Sequence, residues 1–82
     1  MKKYMLISVC DREILVETFH TYEEAFEQMK KEMIDFGRVD EEIFQNPIYE
    51  DFDCGFESYY GYANGGNNHG DYDWRIVALE EV

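Results

Sequence analysis

The sequence predicts an α+β fold: a four-stranded, mostly antiparallel sheet in the order β-β-α-(α)-β-β, with one long amphipathic helix packed on one face. Three observations carry this expectation. Residues 3–19 fall into period-2 sets on either side of a break too short for a crossover. Residues 21–37 hold a helix start signal, apolar residues at helical spacing and a terminal glycine. Residues 59–79 return to aromatic and branched residues flanking a loop rich in glycine and asparagine. Together they make one small layered domain over residues 1–82.

In residues 3–10, Met5, Ile7 and Val9 line one face, and Tyr4, Leu6, Ser8 and Cys10 the other. Residues 13–19 form a second strand with branched residues at Ile14, Val16 and Thr18. Asp11-Arg12 is not a favoured two-residue turn pair, so a longer or bulged turn is expected there. Thr21 and Glu24 have the spacing of a capping box. Tyr22, Phe26, Met29, Met33 and Phe36 then share one helix face, flanked by Ala25 and Ile34, over a helix from 22 to 36. Glu27 and Lys31 are spaced for an exposed ion pair. Gly37 stands where a helix usually ends on glycine.

Asp40 can cap a short second helix over 41–45, closed by Asn46-Pro47. Residues 48–58 fit both strand and helix spacing; they are read as an irregular acidic loop becoming strand near Phe56. Residues 59–63 are the third strand and 72–79 the last. Tyr72, Trp74, Ile76 and Ala78 lie on one face of the last strand, with Val77 and Leu79 on the other, which places it centrally in the sheet. The uncovered face is expected to keep several tyrosines, so a homodimer is a further expectation.

Charge narrows the function more than any motif does. The chain has 19 acids against 7 Lys and Arg, a net charge of −12. That opposes direct contact with nucleic acid, which wants a basic surface, and with anionic membranes. From residue 39 to 74 there is no Lys or Arg, while nine acids and nine aromatic residues interleave. Rings supply interface hot spots, and a field of one sign steers a basic partner. The expected function is therefore a non-enzymatic acidic module that binds a basic, nucleic-acid-handling protein. Its carboxylates would stand in for phosphates, as in a DNA mimic. Asp40, Glu41, Glu42, Glu50, Asp51 and Asp53 would supply the charge, and Tyr59, Tyr60 and Trp74 the rings. A plain solvated acidic rim around an aromatic core is the simpler alternative.

The second reading is a small ligand- or cation-binding domain on the loop. Asn64, Asn67, Asn68, His69, Asp71 and Asp73 put oxygen and imidazole groups beside three glycines. The spacing does not match a calcium-binding EF-hand loop, and Asn and Gly also simply make turns. No catalytic residue, metal or cofactor is expected. His69 has no serine or cysteine beside it, and His20 sits at a strand–helix junction. Cys54 lies among Asp51, Asp53 and Glu57, whose charge opposes a thiolate. The pairs Asp51/Asp53 and Asp71/Asp73 lack an evident pocket that would make them an acid and a base. The N-terminus has two lysines and then a short apolar run ending at Asp11, too short for a signal peptide or a span. That reads as cytoplasmic, with Cys10 and Cys54 as thiols, although spacing alone leaves a bridge between them open.

Tyr62-Ala63-Asn64, Asn68-His69 and Tyr72-Asp73-Trp74-Arg75-Ile76 form a characteristic ending. With Val9-Cys10-Asp11-Arg12-Glu13-Ile14 and Glu23-Glu24-Ala25, it resembles small acidic proteins of gut Firmicutes and their mobile elements. That group carries no assigned activity. The resemblance implies a bacterial or phage setting, and with it an anti-defence inhibitor of the anti-CRISPR or antirestriction kind.

Overall fold

The computed structural model describes residues 2–10, 13–51, 54–63 and 72–80. Among these residues there are six strands, one α-helix and one 3-10 helix. They are β1 (Lys2–Cys10), β2 (Glu13–Phe19), α1 (Tyr22–Asp35), the 3-10 helix (Glu41–Gln45), β3 (Tyr49–Glu50), β4 (Cys54–Phe56), β5 (Tyr60–Ala63) and β6 (Tyr72–Glu80). All strands join one sheet in the order β2-β1-β6-β5-β4-β3, and every pairing is antiparallel. The α+β architecture stands, but the expected count of four strands does not.

The two additional strands come from residues 48–58, expected to be an irregular loop becoming strand near Phe56, where β4 does lie. Tyr49 pairs with Phe56 and Glu50 with Gly55, and the Asp51 amide donates to the Cys54 carbonyl at 3.0 Å. Strands of two and three residues show almost no periodicity of their own, so only their partners define them. Gly55 permits the close approach. A Cβ there would lie 2.6 Å from the Tyr62 hydroxyl oxygen and 2.7 Å from the Tyr49 carbonyl oxygen.

The first and last long strands lie side by side. Leu6 pairs with Ile76 and Ser8 with Trp74. Alternation then assigns the faces. Leu6, Ser8, Trp74, Ile76, Ala63 and Phe56 point under α1 and are buried. β6 lies between β1 and β5, the interior place that its two apolar faces predict. Met5, Ile7, Val9, Val77 and Leu79 point to the face with no helix, together with Tyr60 and Tyr62. The open face was expected to keep several tyrosines; it keeps these two, among mostly aliphatic neighbours. Tyr4, Tyr22, Tyr49 and Tyr72 instead pack around the helix-side core.

The helix begins as its cap signal predicts. The Thr21 hydroxyl oxygen accepts from the Glu24 amide at 3.2 Å and lies 3.1 Å from the Glu24 carboxylate. Its buried face is Ala25, Met29, Glu32 and Met33. Phe36, expected in that stripe, follows the last helical residue and is 50% exposed. The helix spans 14 residues, one short of the expected length. Lys30, not Lys31, pairs with Glu27, at 3.6 Å.

The helix end also differs from its usual form. The positive φ falls on Arg38, at 54°, and not on Gly37. Gly37 is required for lack of room: a Cβ would lie 2.7 Å from the Met33 carbonyl oxygen, 2.9 Å from Ala63 Cβ and 3.3 Å from the Trp74 ring. Two of these neighbours cannot rotate away. Gly37→Ala is therefore expected to cost about 2–3 kcal/mol through overpacking. Thermal melting should show it as a Tm lowered by roughly 10 °C or more for a domain of this size. An unchanged Tm would mean the helix end shifts freely.

Candidate functional site

The expected partner-binding residues divide into three groups. The first is an acidic edge. Asp40 caps the 3-10 helix, its carboxylate accepting from the Glu42 amide at 3.0 Å. Ile43 drops into the core and so orients the turn. Asp40, Glu41 and Glu42 are exposed, as are Glu50 and Asp51 on and after β3. Asp40, Glu42, Ile43, Asn46 and Tyr49 line one shallow hollow. The Tyr49 hydroxyl donates to the Asp51 carboxylate at 3.2 Å. That hydrogen bond raises the phenol above its ordinary value, with help from the Asp51 charge and, further off, Asp40.

The second group lies round the corner on the open face, where Glu57 and Glu50 flank Tyr60. Slight desolvation first, and then these two carboxylates, raise the Tyr60 phenol. Charge and ring meet there, as the expected function requires. One cation enters the edge from elsewhere in the chain. Lys30 of α1 sits 5.8 Å from the centre of the Phe44 ring and shares a hollow with Glu41 and Glu42. The stretch without bases in sequence is therefore not wholly without them in space.

The third group does not join the edge. Tyr59 is exposed but packs on Tyr22 at the start of α1, with ring centres 5.3 Å apart. The Tyr22 hydroxyl donates to the Ser58 carbonyl. Trp74 is 1% exposed and cannot offer its ring to a partner. It lies on the helix-facing side of an interior strand, stacked on Tyr72 with ring centres 6.0 Å apart. Asp53 lies outside the described residues. So do Asn64, Asn67, Asn68, His69 and Asp71 of the alternative ligand loop, and the Asp11-Arg12 turn. Asp73, the remaining member of that set, is exposed on β6 and pairs in register with Tyr62 and Val9.

Sequence reading missed a buried polar cluster. Glu32 is 5% exposed under the sheet. Its Oε1 accepts from the Ser8 hydroxyl at 2.7 Å and from the Trp74 indole N–H at 3.1 Å. Its Oε2 accepts from the Gln28 side-chain amide at 2.9 Å. One carboxyl group thus satisfies a hydroxyl and an indole that the sheet turns inward. Buried there, it ties α1 to β1 and β6. The one available signal was Glu32 itself, a charge adjoining the apolar stripe. Nearby, burial first and then the Glu32 and Glu13 charges push the half-buried Cys10 thiol up, which suppresses its thiolate. No disulfide joins Cys10 to Cys54.

A broad hollow of about 630 Å³ runs along α1 among Phe19, Glu24, Gln28, Lys31 and Ile34. Its rim carries both signs of charge, from Glu23, Glu24 and Glu27 against Lys30 and Lys31. Among the described residues no cluster of His, Cys, Asp and Glu could hold a metal ion. Among the same residues no helix is long and apolar enough to cross a membrane. No protein-family model, curated protein or solved structure matches the chain.

Proposed function

We propose that the protein is a non-enzymatic binding module whose acidic edge engages a basic protein partner. The observation that carries this reading is the clustering of Asp40, Glu41, Glu42, Glu50 and Asp51, all exposed, beside Tyr49 and Tyr60 at the β3 end of the sheet. Short elements anchored in the core hold these carboxylates, so their charge meets a partner with little ordering cost. A field of this sign draws in basic surfaces by long-range attraction and weakens as salt screens it. A protein that handles nucleic acid has such a surface, and fixed carboxylates can occupy its phosphate sites. In a cytoplasmic bacterial or phage setting, that behaviour would make an anti-defence inhibitor.

The test compares two variants of equal net charge. One replaces Glu41, Glu42, Glu50 and Asp51 with Lys; Asp40 is spared because it caps the 3-10 helix. The other replaces Glu13, Glu17, Glu23 and Glu27 with Lys, away from the edge. Each immobilised protein is incubated with bacterial lysate, washed at low and then high salt, and its retained proteins are identified. Wild type and the second variant should retain the same basic proteins and release them at high salt, while the edge variant retains none of them. Equal retention by the edge variant, or no retention by the wild type, would overturn the reading.

A further inference from the structure

We infer that the open face of the sheet is the interface of a homodimer, covered by the same face of a second copy across a twofold axis. The acidic edge reaches this face through Glu50, Glu57 and Tyr60, while the apolar part over β1, β2 and β6 lies away from Glu50 and Glu57. The register brings Met5, Ile7, Val9, Ile14, Val16 and Val77 onto one surface, on three adjacent strands. Ile14 and Val16 are 67% and 55% exposed. Among the described residues, α1 covers one face of the sheet and no element packs over the opposite face of β1, β2 and β6. Monomeric proteins rarely leave apolar surface contiguous on this scale.

Size and charge both favour a second copy as the occupant. The Cα atoms span 42 × 29 × 17 Å. A face spanning the two longer extents is at most on the order of 1,000 Å², the scale of the about 800 Å² that each partner buries in a standard interface. The charge of −12 is largely kept off the apolar part of this face. Lys3 and Arg75 stand there with Asp73, while Glu50 and Glu57 lie at the far end. A strongly basic partner finds little field to follow over β1, β2 and β6, but an identical face finds itself well matched.

Arg75 gives the match a direction. It pairs in register with Ile7 on one side and Tyr60 on the other, near the middle of the face. It is exposed and has no ion-pair partner among the described residues. Asp73 lies two residues away on the same strand and the same face. A twofold axis between two such strands lets each Arg75 meet the Asp73 carboxylate of the second copy, so one contact is made twice. Twisted sheets stack face to face in this way, about 10 Å apart, with their side chains interdigitating. The acids of α1 and the 3-10 helix then lie on the outer surfaces, where they repel least.

Sedimentation velocity from about 1 to 200 μM tests the inference. The wild type should be a dimer in the upper part of that range. Ile14→Lys should weaken the dimer at least roughly tenfold. Leu15→Lys adds the same charge to the same edge strand on the opposite face, where Leu15 is 47% exposed, and should leave the dimer intact. Arg75→Asp should weaken it by a similar factor, and the exchange of both residues, Arg75→Asp with Asp73→Arg, should restore it. These sites are exposed, and circular dichroism checks that each variant keeps its fold. A monomeric wild type overturns the inference, as does a dimer broken by Leu15→Lys, which would point to pairing at the β2 edge. Failure of the double exchange to restore association also overturns it.

Discussion

Replacing Glu32 with Leu is expected to lower folding stability by about 3–4 kcal/mol, read from urea unfolding. Leucine fits the space but accepts no hydrogen bond. The Ser8 hydroxyl and the Trp74 indole N–H are both buried and would keep their donors with no acceptor. Each such orphan costs about 1–3 kcal/mol. Buried ion pairs often tolerate apolar replacement because both partners change together. Here the partners are neutral, belong to two strands and stay behind. Glu32→Gln should be far milder, about 1 kcal/mol, because its carbonyl oxygen can still take both donors. Gln28 would then turn its own amide to accept from the new one. A Glu32→Leu variant as stable as the wild type would show that the cluster contributes nothing to holding α1 on the sheet.

Trp74→Ala is expected to cost about 3–5 kcal/mol. A domain of this length has roughly 4–12 kcal/mol in all, so much of the chain could unfold at room temperature. The ring fills the space between Tyr72, Gly37 and the Glu32 carboxyl, opposite Gly61 on β5. Trp74→Phe keeps most of the buried ring and loses only the indole donor, so its cost should fall to about 1–2 kcal/mol. Trp74→Phe and Glu32→Leu share one hydrogen bond, and their combined cost should be smaller than the sum of the two. A surface role for Trp74 makes the opposite prediction: a folded Trp74→Ala protein that merely binds its partner less well. Circular dichroism and a urea titration of that single variant separate the two.

The contrast between Trp74 and Glu32 shows where sequence reading stopped. Trp74 stood in an aromatic stretch beside a polar loop, and local composition alone made it look like a contact residue. Its burial follows from β6 being interior and from α1 lying over that face, both of which depend on distant chain. Glu32 adjoined the apolar stripe, and sequence reading gave it no role. Its donors come from 24 and 42 residues away, and no local window contains them. The residues of the acidic edge were legible individually, because exposure of charge is the ordinary outcome for Asp and Glu. Their separation from Tyr59 was not legible, since Tyr59 follows the start of α1 through a ring contact with Tyr22.

By itself, the sequence determined the α+β class, the first hairpin, the capped start of α1, a short helical segment behind Asp40, which the structure shows to be 3-10, and the bounds of the two last strands to within a residue. These follow from period, caps and turn chemistry, which act over a few residues. The tertiary structure alone decided that there are six strands, that β1 and β6 are neighbours, which face stays open, and that Glu32 is buried beneath Trp74. The physical reason is the range of the interactions. A strand of two residues exists only through its partner, and a buried carboxyl is tolerated only where remote donors meet it.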